Sequence, residues 1–339
     1  MSVFDLLDLL LGVALFLFGM HCMGEALRES AGNRLHYVLE TLTSKSWRGF
    51  LFGAAVTAVI QSSSATTVMV VGFVNSGVMS LSQAVGVIIG ANVGTSVTSW
   101  ITALSGIRGG ESVGSLMSWF KPSAFTPILA VLGIVFYMFS RRGKRRNLGL
   151  ILLGFSVLMV GMDTMSEAVS VLEDHEGFRS VLLWFENPIL GVLAGMILTA
   201  IVQSSSASIG ILQSFAATGA IRFANAVPII MGQNIGTCVT ALLASAPAGI
   251  NAKRASWIHL SFNVIGTVLG LTAFLIIRAL GLFSFWEEPI DMWDIAATHT
   301  VFNLATALIL FPFCSSLERL ACLVIRDRKQ GDTDRNSSK

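Results

Sequence analysis

Apolar runs long enough to cross a hydrocarbon core, which takes about 20 residues, recur along the chain with short polar or charged stretches between them. Residues 6–24, 81–104, 123–140, 148–169, 223–245, 255–278 and 293–325 read as spanning helices. Residues 26–46 set Leu27, Leu35, Val38, Leu39 and Leu42 among charges, an amphipathic piece suited to the membrane surface. Two further apolar stretches, 49–78 and 188–219, carry the same polar run inside them: Gln61-Ser62-Ser63-Ser64 and Gln203-Ser204-Ser205-Ser206. Four adjacent polar side chains at mid-depth are costly unless they line a cavity or bind something. The flanks 49–60 and 65–78 are each about half a span, which predicts a re-entrant hairpin with the polar run at its tip. One continuous helix carrying a polar notch is the other reading. Gly90-Ala91-Asn92-Val93-Gly94-Thr95 and Gly232-Gln233-Asn234-Ile235-Gly236-Thr237 place two glycines and an asparagine within six residues, and predict a break inside 81–104 and 223–245.

The chain repeats itself. At a constant offset of 142, residues 53–103 and 195–245 share 19 of 51 positions without a gap. The shared set includes Gly53/Gly195, Thr57/Thr199, both Gln-Ser-Ser-Ser-Ala runs, Gly90/Gly232, Asn92/Asn234 and Thr95/Thr237. The same offset matches Gly12/Gly154, Gly19/Gly161, Met23/Met165 and Glu25/Glu167, so it reaches back into the first span. The predicted units are 1–140, with hairpin 49–78 and broken helix 81–104, and 148–325, with hairpin 188–219 and broken helix 223–245. A basic linker at 141–147 separates them, and a polar tail, 326–339, follows.

Composition narrows the class. A mean hydropathy of +0.73 with 12% charged residues describes an all-α polytopic membrane protein. The N-terminus has Asp5 and Asp8 and no positive n-region, so it reads as a mature membrane segment. The net charge of +2 comes with no basic–aromatic pattern that would engage nucleic acid. Cys22, Cys238, Cys314 and Cys322 lack metal-ligand spacing and read as small buried residues. Lysines and arginines set the orientation. With Arg141–Arg146 cytoplasmic, Arg28, Arg34, Lys45, Arg48, Lys253, Arg254, Arg326, Arg328 and Lys329 also fall inside. The acidic residues Glu173, Asp174, Glu176, Glu287 and Glu288 fall outside. This works when both hairpins re-enter; the N-terminus is then outside and the C-terminus inside. Three crossings separate the starts of the two units, so the second copy is inverted, a transporter architecture with its site at the midplane.

At a hairpin tip one half-helix ends and another begins. The starting helix offers unpaired N–H groups at Ala65–Thr67 and Ala207–Ile209 for an anion. The preceding carbonyls, with the side-chain oxygens of Gln61, Gln203, Asn92, Asn234, Thr95 and Thr237, suit a hard cation such as Na⁺. Serine hydroxyls serve either partner. No Arg, Lys, Asp, Glu or His lies between Leu51 and Ile107, and only Arg222 interrupts 187–252. A multivalent anion there lacks a fixed positive side chain, so cations bound beside it would supply the missing charge.

These motifs resemble the sodium–phosphate cotransporter family, which holds the type II Na⁺/Pi cotransporters and their bacterial relatives. The likeness runs over roughly residues 6–320. It implies a plasma-membrane symporter, no enzyme, with Na⁺ as coupling ion and no organic cofactor. By that resemblance inorganic phosphate and Na⁺ gather at Gln61, Ser62, Ser63, Ser64, Ala65, Thr66, Asn92 and Thr95. The matching set is Gln203, Ser204, Ser205, Ser206, Ala207, Ser208, Asn234 and Thr237. The lipid bilayer is the other partner; oligomeric state and direction stay open, since some bacterial members are thought to export phosphate. Many relatives append a PhoU-like domain, whereas this sequence ends soon after residue 325.

Lesser features leave alternatives. His259-Leu260-Ser261-Phe262-Asn263 and His299-Thr300-Val301-Phe302-Asn303 share a spacing that puts His and Asn on one helical face. They line a path, sense pH, or hydrogen-bond the last two spans together. Glu25 and Glu167 are interfacial, paired at helix ends, or Na⁺ ligands. Another small oxyanion in place of phosphate, a serine hydrolase and a non-transporting scaffold are the competing functions.

Overall fold

The computed structural model describes residues 3–31, 46–106, 122–140, 143–170 and 186–326. Their regular structure is helical, apart from a lone antiparallel bridge between Arg222 and Pro289. In chain order the helices are α1 (Val3–Ala31), α2 (Ser46–Ile60), α3 (Ser63–Asn75), α4 (Leu81–Ala103), α5 (Pro122–Phe139) and α6 (Lys144–Ser170). There follow α7 (Pro188–Val202), α8 (Ser205–Ala216), α9 (Phe223–Ser245), α10 (Ile250–Ala279), α11 (Met292–Leu310) and α12 (Cys314–Val324). Among the described residues six helical segments are long and apolar enough to cross a membrane, while the expected span 123–140 falls among the shorter apolar helices, as Phe125–Phe139. The exposed faces of α1, α5 and α11 carry Leu6, Leu10, Ile134, Met138, Leu308 and other large apolar side chains, a surface suited to lipid.

Two sequence expectations are corrected here. The helices α4 and α9 run unbroken through Gly90–Thr95 and Gly232–Thr237. The polar side chains that suggested a break bond back along their own helix: Asn92 Nδ2 donates to the Ile88 carbonyl at 3.0 Å, and Thr95 Oγ1 to that of Ala91 at 3.0 Å. Thr237 Oγ1 does the same to Gln233 at 2.9 Å. The glycines serve close approach instead. A Cβ on Gly90 would overlap the Phe50 carbonyl of α2, and one on Gly232 the Val192 carbonyl of α7. Gly53 and Gly195 answer from the other side, against the Val87 and Ile229 carbonyls. Each long helix therefore lies backbone to backbone on the first half of the preceding pair, which only glycine permits.

The second correction concerns the ends of the spans. Helix α1 extends to Ala31, so part of the expected surface segment continues the first span; residues 32–45 lie outside the described residues, as does the acidic connector at 173–176. The expected span 293–325 turns at Phe311–Phe313, where Pro312 cannot continue the α11 hydrogen-bond ladder, and resumes as α12. Of the four cysteines only Cys238 is buried; Cys22, Cys314 and Cys322 are half-buried.

Helix α1 crosses α6 through a reciprocal set of small residues. A Cβ on Gly12 would stand 2.7 Å from the Met165 amide, and one on Gly154 2.7 Å from the Met23 amide. Helices α4 and α9 are the most enclosed, and α3 and α8 pack across the centre, α3 on α9 and α8 on α4. Gln213 of α8 donates through Nε2 to the carbonyls of Ser99 (3.0 Å) and Met292 (3.1 Å), tying α8 to α4 and α11. At one end of the bundle Asn75 Oδ1 accepts from the Gly249 amide at 2.8 Å, and Arg254 Nε donates to the Ile325 carbonyl at 3.0 Å. At the other end Glu287 accepts from Arg222 (3.0 Å) and Arg278 (2.9 Å). The base of the α2–α3 pair lies at the first end and that of the α7–α8 pair at the second.

Candidate functional site

The helix ends at residues 60–63 and 202–205 are built alike. Gln61 and Gln203 take left-handed backbone, φ +59° and +55°, and are the only non-glycine residues with positive φ among those described. In each, the amide bonds the carbonyl four residues back, Thr57 or Thr199, at 2.7 Å, closing the first helix with an αL cap. The next residue is extended and caps the second helix: Ser62 Oγ accepts from the Ala65 amide and Ser204 Oγ from the Ala207 amide, both at 3.2 Å. Across each turn a buried hydroxyl pair clips the helices together, Thr57 Oγ1 to Thr66 Oγ1 at 3.0 Å and Thr199 Oγ1 to Ser208 Oγ at 2.8 Å.

The two turns meet. Ser63 Oγ and Ser205 Oγ are 3.4 Å apart, 142 residues distant in sequence. Around them lies a cavity of about 220 Å³, lined by Gln61–Ser64, Gln203–Ser206, Ile60 and the α1 residues Leu17, Met20, His21, Gly24 and Glu25. The lining is one-sided, since α6, the counterpart of α1, contributes nothing to it. There Leu158, Met159, Met162 and Met165 pack with Phe16 and Ala207 into a closed apolar cluster. The turns differ accordingly: Gln61 is buried, while Gln203 is exposed.

The cavity thus gathers Gln61, Ser62, Ser63 and Ser64 with Gln203, Ser204, Ser205 and Ser206, and leaves the other candidates behind its wall. Thr66 and Ser208 are spent on the clips, and the Ala65 and Ala207 amides on the serine caps. The donors free to meet an anion are consequently the earlier amides of the first turn, at Ser63, Ser64, Ser205 and Ser206, which have no acceptor within their helix. Asn92, Thr95 and Thr237 bond their own helices, and Asn234 Nδ2 donates to Asn303 Oδ1 at 3.0 Å. The His–Asn pairs reach the central helices and do not join α10 to α11. His299 Nδ1 is 3.0 Å from Ser96 Oγ of α4, and Asn263 Nδ2 is 3.4 Å from Cys238 Sγ of α9. Both ring nitrogens of His259 are buried without a partner.

Oxygen chemistry at the turns fits a hard cation. Gln61 Nε2 donates to the Ala58 carbonyl, which turns Oε1 into a buried acceptor with no partner. An unsatisfied buried acceptor costs about 1–3 kcal/mol, and a cation would relieve it. His21 and Glu25, which the sequence reading passed over or left undecided, sit one helical turn apart at 3.9 Å. The signal for Glu25 was its twin Glu167 at the repeat offset; His21 has no such signal, because its counterpart is Asp163.

Comparison with known proteins identifies the family. The family described as Na⁺/Pi-cotransporter matches residues 15–167 and 170–285. "Uncharacterized protein YqeW" of Bacillus subtilis (strain 168) is 31% identical over 314 residues, covering 92% of this chain and 96% of that protein. "Putative inorganic phosphate export protein YjbB" of Escherichia coli (strain K12) is 27% identical over 330 residues, 97% of this chain but only 57% of YjbB's length. "Sodium-dependent phosphate transport protein 2A" of Rattus norvegicus is 38% identical over 96 residues, 26% of this chain and 15% of that protein. No solved structure matches the chain. A family match across most of the sequence, and a relative aligned over nearly its full length, make this all-helical membrane protein a member of the Na⁺/Pi-cotransporter family.

Proposed function

We propose that the chain is a Na⁺-coupled transporter of inorganic phosphate, and that its site is the cavity between Gln61–Ser64 and Gln203–Ser206. The observation that carries this reading is the 3.4 Å approach of Ser63 and Ser205, which turns two polar runs into the floor of one cavity. First-turn amides and serine hydroxyls from both sides converge there on an oxyanion. Gln61 Oε1 and neighbouring oxygens hold Na⁺ beside it. No lysine or arginine lines the cavity, so phosphate meets no permanently charged cationic side chain there and travels with the cation.

The halves, 1–140 and 148–325, act as inverted repeats in this account. Each places a re-entrant helix pair, α2–α3 from the cytoplasmic face and α7–α8 from the outer face, so that their turns meet at mid-depth. That orientation puts the N-terminus outside and the C-terminus in the cytoplasm, at the plasma membrane. The cavity then borders the cytoplasmic half of α1, and net export is the second reading, favoured by that one-sided lining and by the printed name of the relative YjbB.

The test is labelled-phosphate flux in proteoliposomes under an imposed Na⁺ gradient, with K⁺ and H⁺ gradients as controls. The expected result is flux that follows the Na⁺ gradient, is competed by arsenate and is unmoved by sulfate. Flux indifferent to Na⁺ removes the coupling, and competition by sulfate equal to that by arsenate transfers the reading to small oxyanions at large.

A further inference from the structure

The cavity lining holds two titratable side chains, both on α1. His21 and Glu25 stand one turn apart, His21 Nε2 3.9 Å from Glu25 Oε2, and their side chains are 68% and 63% exposed. They share the lining with Gln61–Ser64 and Gln203–Ser206. The elements packed on α1 bring no rival charge to it: α8 has no ionisable residue, and neither Arg48 of α2 nor Asp163 and Glu167 of α6 belong to the lining. A solvated pair this loose stabilises little, so stability does not account for its place in the lining. An imidazole and a carboxylate held side by side in an otherwise uncharged cavity offer one N–H donor to an oxyanion and one oxygen ligand to a cation.

We propose that His21 and Glu25 form a loading station for the site: His21 receives the incoming phosphate and Glu25 the accompanying Na⁺, before both settle among the serines. This rests on the reading of the cavity as the phosphate and Na⁺ site. The station exists on one side only. The second copy has Asp163 at the position that His21 holds in the first, and α6 does not reach the lining.

The proposal makes His21 and Glu25 affinity-determining residues and leaves translocation to the helix turns. Its test is phosphate flux in Na⁺-loaded proteoliposomes for the wild type and three variants, analysed as KM and maximal rate. With Na⁺ saturating, His21→Ala raises the KM for phosphate about three- to tenfold, the range of one exposed hydrogen-bonded contact, and keeps the maximal rate within about twofold. His21→Lys, which puts an N–H donor back at this position, returns KM to the wild-type value. Glu25→Gln raises the half-saturating Na⁺ concentration by a similar factor with phosphate saturating. An unchanged KM in His21→Ala, or a loss confined to the maximal rate that His21→Lys does not repair, overturns the proposal. Unchanged Na⁺ dependence in Glu25→Gln removes the carboxylate from it. Wild-type protein that carries no phosphate sinks the underlying reading and the station with it, whereas wild-type flux beside unaltered variants sinks the station alone.

Discussion

Gln61 and Gln203 hold backbone that a glycine would adopt without strain, at φ +59° and +55°. For a non-glycine residue that conformation costs about 1–2 kcal/mol, and strain retained at a cavity wall marks a side chain kept for its chemistry. The expected consequence is a separation of stability from function. Gln61→Gly should leave the melting temperature in detergent at or above the wild-type value while phosphate flux falls at least about tenfold, since the orphaned Oε1 is gone. A variant that melts lower and transports normally would show that Gln61 only shapes the turn. The sequence made these residues visible as a duplicated polar run without revealing that the glutamine, and not a serine, occupies the sharp bend. No glycine marks the turn, so the usual signal for a positive φ was missing.

Among the elements, the pairs α2/α4 and α7/α9 are held by glycine faces with no room for a methyl group. Gly90→Ala and Gly232→Ala force backbone off backbone, and overpacking of this kind costs about 1–3 kcal/mol. Gly72, on the exposed face of α3 with nothing within 4 Å of a Cβ, is the control; Gly72→Ala gains up to about 1 kcal/mol of helix propensity. Thermal unfolding should rank Gly72→Ala at or above wild type and both other variants clearly below it; equal melting for all three would contradict the close-approach account. The same glycines explain why the expected helix breaks are absent. A Gly-x-Asn-x-Gly-Thr segment reads alike whether its glycines end a helix or admit another backbone, and only the partner helix decides. That partner was itself legible, since Gly53 and Gly195 recur at the repeat offset. The helix-pair boundaries were readable from the polar runs: Gln61-Ser62 and Gln203-Ser204 are the points where α2 and α7 stop. The bend at Pro312 was missed, because the apolar run on both sides of it read as one span.

At the scale of the whole molecule, the turns and glycine contacts of the two copies are built alike, yet the cavity is lopsided. It borders α1 and is sealed on the α6 side by Met159, Met162 and Met165. Composition and repeats could announce two like halves; they could not announce which half stands open, because near-identical local sequences are compatible with either arrangement. The account therefore stands or falls on whether the twin serine runs act together. Labelled-phosphate flux through Ser63→Ala, Ser205→Ala and the double variant measures that directly. If both runs close on one anion, either single substitution brings flux to background and the double variant is no worse. If each single variant keeps about half the wild-type flux, and only the double variant falls to background, the runs serve separate sites and the central claim is wrong.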